Sequence, residues 1–217
     1  MNITHHIGED ILYGYASGEL AYGWNLAIAT HLALCPQCRA HVRALEDVLA
    51  AGLANETPQP LAKLTSDAVI ALADKQAEEL AQPPARPKMT QAPVIPQPLR
   101  DLCGDVDDIG WQRLGIGLRQ RIVHRSQGIT ARLLYISAGC AVPAHGHNGL
   151  ELTQVLAGGY YDGDQAFVRG DIQIVAYASP HQPIAMAEAA CICLAITDAP
   201  IRFRNLIPKL LQPFCRI

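Results

Sequence analysis

The chain has 217 residues, half of them apolar and 17% charged, which is enough to bury a core in one large domain or two small ones. Its formal net charge of −3 excludes a general electrostatic attraction to nucleic acid. The N-terminal stretch MNITHHIGED lacks the basic flank and apolar segment of a secretory signal, and no apolar run is long enough to span a bilayer. We therefore expect a cytoplasmic protein without membrane association or direct nucleic-acid contact, whose seven cysteines are metal ligands or free thiols.

Residues 1–82 have the pattern of a helical domain with about four helices. Apolar residues at helical spacing predict helices in IGEDILYGYASGEL, AYGWNLAIATHLAL and PQCRAHVRALEDVLAAGL, with Gly18 ending the first and Pro36 starting the third. A fourth amphipathic segment runs from Leu61 to Leu80. Residues 1–85 contain ten acidic and four basic side chains, which indicates either a surface for a basic partner or an ordinary solvated surface.

A proline-rich stretch, residues 83–98, follows as a predicted linker, because repeated prolines block both helices and strand pairing. Residues 99–217 then read as strands separated by Gly, Asp-Gly and Pro. The predicted strands lie in GIGLRQRIVHR, ITARLLYISAG, LELTQVLAGGYYDG, DQAFVRGDIQIVAYAS and CICLAITDAP. Short strands at regular spacing predict a sandwich or a small barrel.

A first candidate metal site lies in THLALCPQC, where a helix ends and another begins. His31 and Cys35 are four residues apart and share one face of the ending helix. Cys38 falls in the first turn of the next helix, where backbone N–H groups and the helix dipole favour a thiolate. These are three soft ligands, and a structural zinc ion takes four.

The fourth ligand must come from elsewhere in the helical domain. We favour His6 over its neighbour His5 because His6 adjoins Ile7, the first residue of the packed face, and His41 is a further candidate. A thioredoxin-type redox pair normally follows a strand, whereas both flanks are helical here, and an incidental pair of core thiols leaves the histidine unexplained. The predicted zinc ligands are His6, His31, Cys35 and Cys38.

An N-terminal histidine followed by His-x-x-x-Cys-x-x-Cys between two helices resembles the zinc-binding anti-sigma domain. The ligands of that domain map onto His6, His31, Cys35 and Cys38. The resemblance implies that the helical domain clamps an extracytoplasmic-function sigma factor in a one-to-one complex and blocks its access to RNA polymerase core. The segment from Leu61 to Leu80 would then belong to the clamp.

A second candidate metal site lies in PAHGHNGLELTQ. His145, His147 and Glu151 are separated by even numbers of residues, so on a continuous strand they point to one face. His181 follows one hairpin later. Three imidazoles and a carboxylate on the inner wall of a barrel form a site for a first-row transition metal, and Zn, Mn, Fe, Ni and Cu all accept this set.

The stretch from Gly139 to Gly158 resembles the first cupin motif, spacing included. The second cupin motif is partial, because the Pro-x-Gly turn before His181 and the Asn after it are missing. The two halves together resemble the ChrR-type anti-sigma factors. The fold class expected is therefore α + β multidomain, with an N-terminal zinc-binding helical module and a C-terminal cupin jelly-roll β-barrel.

The resemblance implies a regulator rather than an enzyme, which releases its sigma factor when the cupin metal site, with Zn²⁺ or Mn, Fe or Ni, senses singlet oxygen or an organic peroxide. Cys191 and Cys193 share one face of a strand and are either oxidation targets near that site or small buried hydrophobes. The alternative is a metal-dependent cupin dioxygenase or isomerase with an N-terminal zinc-stabilised docking domain, which the partial second motif disfavours. A DNA-binding metalloregulator is disfavoured by the acidic N-terminal half.

Overall fold

A computed structural model of the chain describes residues 3–57, 94–176 and 180–203, together with five helical positions between 67 and 74. Three helices come first, α1 (Glu9–Ala16), α2 (Tyr22–Leu34) and α3 (Pro36–Leu53). A short helix, α4 (Leu99–Cys103), and a 3-10 turn (Val106–Asp108) precede the strands. Apart from those five positions, the predicted fourth helix lies outside the described residues. Among the helices that the structure describes, none is long and apolar enough to cross a membrane.

Helices α2 and α3 begin and end within one residue of the predicted segments, whereas α1 begins at Glu9 rather than at Ile7. After α1 the chain turns at Gly18, whose φ of +76° favours glycine. Helix α2 ends because Cys35 is extended, although its N–H still bonds to the carbonyl of His31. Pro36 then opens α3, where its missing N–H has no cost. This break places Cys35 and Cys38 on either side of a sharp change of direction.

The rest of the described chain is β-structure in three antiparallel sheets, and its eleven strands have the following bounds. They are β1 (Gln112–Gly115), β2 (Leu118–Ser126), β3 (Ile129–Ile136), β4 (His145–His147), β5 (Leu150–Ala157), β6 (Gly159–Asp162), β7 (Gln165–Val168), β8 (Ile172–Ala176), β9 (Ile184–Ala185), β10 (Cys191–Thr197) and β11 (Ile201–Phe203). The six-stranded sheet has the order β1-β2-β3-β10-β5-β8, and the smaller sheets are β7-β6-β9 and β11-β4.

Strand β10 shows why the central strands of the large sheet are apolar on both faces. On one face, Leu194 and its alternate neighbours join a core cluster that includes Leu26 and Ile28 of α2. On the other face, Cys191 and Cys193 join a cluster with Tyr160 of β6, in one of the smaller sheets. The large sheet therefore packs between a helical layer and the smaller sheets, which is the jelly-roll arrangement.

Helix α2 lies directly on the outer face of the large sheet. A Cβ atom added to Gly23 would come within 2.7 Å of the Cγ2 atom of Ile129 in β3. The rings of Tyr22 and His124 are 4.6 Å apart at their centroids. By their contacts, Met1–Asp47 and Val94–Ile217 form one compact unit and Val48–Pro93 a second. The predicted domain limits at residues 82 and 98 stay a prediction.

Candidate metal centres

The four predicted zinc ligands of the helical module come together in the structure. The candidate ligand atoms of His6, His31, Cys35 and Cys38 all lie within 4.8 Å of one another. The Nδ1 atom of His6 is 3.4 Å from the Sγ atom of Cys35 and 3.6 Å from that of Cys38. We call this group the N-terminal cluster. It ties together the segment before α1, the end of α2 and the start of α3.

The surroundings of His31 fit a metal ion at the N-terminal cluster. His31 is fully buried, and neither of its ring nitrogens makes a hydrogen bond to the residues that the structure describes. Burial lowers the pKa of His31 to about 4, an effect that the nearby Gly170 carbonyl partly opposes. A neutral, buried imidazole without a partner is costly, and a bound metal ion would supply the missing partner.

The thiol of Cys38 departs from the expectation that its position in a helix favours the thiolate. Burial and, to a lesser degree, the nearby Cys35 together raise the pKa of Cys38 to about 11, although the backbone hydrogen bond from Ile7 lowers it. Burial therefore outweighs the effect of the helix start. A positive ion bound at the cluster is what would stabilise the thiolate, so the donor set fits zinc.

The two other histidines considered for the fourth position lie elsewhere. The Nδ1 atom of His5 is 3.6 Å from a carboxylate oxygen of Asp171, and its ring lies 4.4 Å from that of Phe167. His41 is largely exposed and faces Glu9 at 3.8 Å. Of the three candidates, the structure brings only His6 to the two thiols.

The four predicted ligands of the β-domain also come together, with candidate ligand atoms within 4.8 Å of one another. We call His145, His147, Glu151 and His181 the cupin cluster. The two histidines of the HGH motif lie on β4 and Glu151 lies on β5, so the predicted continuous strand is interrupted at Asn148–Gly149. His181 joins through a pair of backbone hydrogen bonds with His145.

The hydrogen bonds of the imidazoles show why a cation fits the cupin cluster. The Nδ1 atom of His145 donates to the Pro143 carbonyl at 2.9 Å, and that of His181 donates to Asp162 at 2.7 Å. These partners place a proton on each Nδ1 atom, so in neutral rings both Nε2 atoms carry lone pairs, and the two Nε2 atoms are 3.2 Å apart. The Nε2 atom of His147 lies 2.9 Å from that of His181. A shared cation converts this repulsion into ligation.

Burial favours the neutral form of two rings of the cupin cluster, those of His145 and His147. Burial and the neighbouring His181 lower the pKa of His147 to about 4, and burial lowers the pKa of His145 as well. Glu151 supplies the negative charge, with one oxygen 3.3 Å from Nδ1 of His147 and the other accepting from Thr153 at 2.9 Å. Neutral imidazoles with one carboxylate are suited to a divalent ion.

Asp162 supports the cupin cluster from outside and was not predicted. Its carboxylate accepts from His181 and, at 2.6 Å, from the side-chain amide of Gln173, which in turn accepts from Tyr160 at 2.8 Å. A carboxylate behind a ligating histidine fixes the ring orientation and tautomer. In the sequence, Asp162 reads only as part of an Asp-Gly turn, and its link to His181 depends on how distant segments pack.

The cupin cluster borders a cavity of about 300 Å³. Its wall includes His145, Glu151 and the Cys193 thiol, with Arg132 as a buried cation and mainly apolar side chains elsewhere. Cys191 and Cys193 share the inner face of β10, as their spacing predicts. A small apolar molecule could therefore approach the cluster and a thiol together.

These features define a two-part class of protein, a helical module with a His₂Cys₂ cluster joined to a cupin-type domain with a His₃Glu cluster. Residues 99–199 match the family model described as the ChrR cupin-like domain. Over 218 aligned residues and 100% of both chains, the sequence is 43% identical to the anti-sigma-E factor ChrR of Cereibacter sphaeroides. A crystal structure of Rhodobacter sphaeroides SigE in complex with the anti-sigma ChrR matches with a TM-score of 0.78 and 38% identity, over 90% of this chain and 100% of that chain.

The chain belongs to the ChrR family of anti-sigma factors. The predicted resemblance and the predicted fold class, a helical module followed by a cupin domain, are confirmed.

Proposed function

We propose that this protein is an anti-sigma factor that sequesters an extracytoplasmic-function sigma factor in a one-to-one complex in the cytoplasm, and that it is not an enzyme. The observation that carries the proposal is the full-length similarity to ChrR, with 43% identity over all of both chains. A structural match to a ChrR solved together with SigE supports the same partner class.

In this proposal, His6, His31, Cys35 and Cys38 hold a structural zinc ion. Bound zinc supplies a crosslink between three chain segments, and these side chains fix the mutual positions of α1, α2 and α3. The fixed helices present acidic and apolar groups to the sigma factor. Exposed examples are Glu9, Asp10 and Tyr13 on α1 and Glu46 and Val48 on α3. Such a surface suits a basic partner with apolar anchors.

The cupin cluster is proposed as the oxidant-sensing site, with Zn²⁺, or Mn, Fe or Ni, held by His145, His147, Glu151 and His181. The cavity of about 300 Å³ would admit a small oxidant. The pKa of the Cys193 thiol is raised by its hydrogen bond with Cys191 and by burial, so Cys193 is a poor nucleophile toward peroxides. This favours singlet oxygen, which attacks neutral imidazoles without needing a thiolate. Oxidation here would weaken the grip on the sigma factor.

The test is co-expression of the full chain with the sigma factor encoded in the same genome, followed by purification and transcription assays. The wild-type protein should co-purify with the sigma factor and inhibit transcription, and stripping with a strong chelator should abolish both. His31→Ala should lose binding. Retained inhibition by that variant or by the stripped protein would overturn the role of the N-terminal cluster.

The sensing role is tested in the same assay with Glu151→Gln. This variant should bind the sigma factor like the wild type but should release little of it when a photosensitiser generates singlet oxygen. Release equal to that of the wild type would overturn the role of the cupin cluster as the sensor.

The cavity beside His145 and Glu151 also favours a second candidate function, a metal-dependent dioxygenase or isomerase. Oxygen uptake by the Fe(II)-loaded chain with a panel of small apolar substrates separates the two. Multiple turnovers per chain would support the enzyme, whereas the anti-sigma proposal expects none.

A further inference from the structure

Residues 4 and 5, in the segment before α1, are held by hydrogen bonds with the cupin domain. The Asp171 side chain, which follows β7 and precedes β8, is fully buried. Its Oδ1 atom accepts from the backbone N–H groups of Thr4 at 2.8 Å and His5 at 3.0 Å. The N–H of Ile172 donates to the His5 carbonyl at 3.2 Å. Three hydrogen bonds, two to the Asp171 carboxylate and one with the Ile172 backbone, therefore fix the chain immediately before His6.

The hydrogen bonds of Asp171 are those expected of an ionised carboxylate that accepts from several backbone N–H groups. Its second oxygen, Oδ2, accepts from the N–H of Val168 at 2.9 Å, within its own turn. Burial alone would raise the pKa of Asp171, but the N–H donors of Val168, His5 and Thr4 outweigh it and lower that pKa. One carboxylate oxygen therefore accepts from the turn of the cupin domain, and the other accepts from the N-terminal segment.

The same turn faces a second member of the N-terminal cluster. The carbonyl of Gly170 lies near the ring of His31 on α2. Residues 170 and 171 therefore contact the surroundings of two of the four cluster residues. The helical module, with the segment before α1, supplies the ligand side chains, whereas the cupin domain supplies groups behind them.

We propose that Asp171 is a positioning residue of the N-terminal metal site, so that the cupin domain completes a site whose ligands all belong to the helical module. This inference rests on the metal binding put forward under the proposed function. Asp171 fixes the backbone of Thr4 and His5, the two residues directly before His6, and thereby preorganises His6.

Strand β8, which directly follows Asp171, also reaches the surroundings of the cupin cluster. Gln173 donates to Asp162, and Asp162 accepts from the cluster residue His181. The short stretch 170–173 of the cupin domain therefore contacts the surroundings of both clusters. A shift of His181 that displaces Gln173 would move β8, and residues next to β8 hold the segment before His6. A change at the cupin cluster could in this way reach the N-terminal cluster in the proposed oxidant response.

The test uses the full chain loaded with Co²⁺, whose thiolate-to-metal charge-transfer band reports the N-terminal cluster because the cupin cluster consists of imidazoles and a carboxylate. Chelator competition followed at this band gives the affinity of the N-terminal site. Asp171→Asn should weaken it by about 10- to 100-fold, since an amide accepts at one oxygen only and must turn its NH₂ toward one set of N–H donors. The matched control is Asp164→Asn, an exposed position in the neighbouring turn, which should leave the affinity unchanged.

A second variant separates positioning of the segment from damage to the cupin turn. Thr4→Pro removes one N–H donor to Asp171 without altering the cupin domain, and it should weaken Co²⁺ binding in the same direction. Wild-type affinity in Asp171→Asn, or in Thr4→Pro, would overturn the proposal, and Thr4→Pro decides alone if Asp171→Asn does not fold. No charge-transfer band in the wild type would instead refute the metal site itself.

Discussion

The two clusters offer the same number of ligand side chains in different surroundings. The N-terminal cluster contains two thiols and a fully buried His31 whose nitrogens have no hydrogen-bond partner among the described residues. The cupin cluster contains three imidazoles and a carboxylate, has Asp162 behind one ring, and borders a cavity of about 300 Å³. Closed sites of the first kind are typical of structural zinc, whereas sites that open onto a cavity leave room for a reactant. This difference underlies the proposal that the N-terminal cluster stabilises the fold and that the cupin cluster senses the oxidant.

The largest expected effect is the loss of the N-terminal metal. Cys38→Ser removes a thiolate from a four-ligand site, and structural zinc contributes about 10–16 kcal/mol of apparent binding free energy that is also folding free energy. We expect the variant to lose the metal of the N-terminal cluster and to keep that of the cupin cluster, as measured by elemental analysis. Cys103→Ser, at a half-buried thiol outside both clusters, is the control. Full metal content in Cys38→Ser would show that this cluster is not a four-ligand site.

The second prediction tests the role of Asp162, the carboxylate behind His181 in the cupin cluster. Asp162→Asn should weaken metal binding there by about 10- to 100-fold, because the amide holds the His181 tautomer less firmly. The N-terminal cluster should be unaffected, which metal competition at each site would show. Asp164→Asn, two residues away and exposed, should change neither site. An equal loss at both clusters would contradict a local role for Asp162.

The third prediction concerns the packing of α2 on the sheet. Gly23→Ala places a methyl group 2.7 Å from the Cγ2 atom of the stiff, buried Ile129, and we expect it to lower the free energy of unfolding by about 1–3 kcal/mol. Gly52→Ala, on α3 with nothing within 4 Å of the added carbon, should instead raise stability by about 0.5–1 kcal/mol. Urea denaturation of the metal-loaded protein measures both. Similar effects of the two substitutions would refute the close contact.

The smallest effect is a difference in pH dependence between the clusters. The pKa of Cys38 is raised to about 11, so its thiol must lose a proton when metal binds at neutral pH. Affinity at the N-terminal cluster should therefore rise at least about tenfold per pH unit, or about 1.4 kcal/mol, between pH 6 and pH 8. His147, with a pKa lowered to about 4, is already neutral in that range, so the cupin cluster should respond more weakly. Calorimetry in buffers of different ionisation enthalpy counts the protons; equal proton release at both sites would contradict the assignment.

Much of the N-terminal cluster could be predicted because its pattern is local. His31, Cys35 and Cys38 span a single helix break that Pro36 marks in the sequence. The choice of His6 over His5 needed only the observation that Ile7 begins the packed face. The cupin cluster was also readable from spacing, although its motif is divided between β4 and β5 rather than continuous.

The parts that sequence patterns missed depend on distant segments. Asp162 acquires its role because β6 brings it to His181, and Asp171 because residues 4 and 5 cross to a turn more than 160 residues later. No spacing rule encodes such partners. The local pattern also misses the effect of burial on Cys38: a helix start favours the thiolate, whereas burial, which depends on the fold, raises the pKa of this thiol.

Helix α2 fits one particular sheet surface, with Gly23 leaving room for Ile129. The helical module is consequently not an interchangeable part. In a chimera that joins this module to the cupin domain of a distant relative, we expect α2 to pack poorly on the sheet. Good packing should return when the residues on the outer surface of that sheet are replaced by those of this protein.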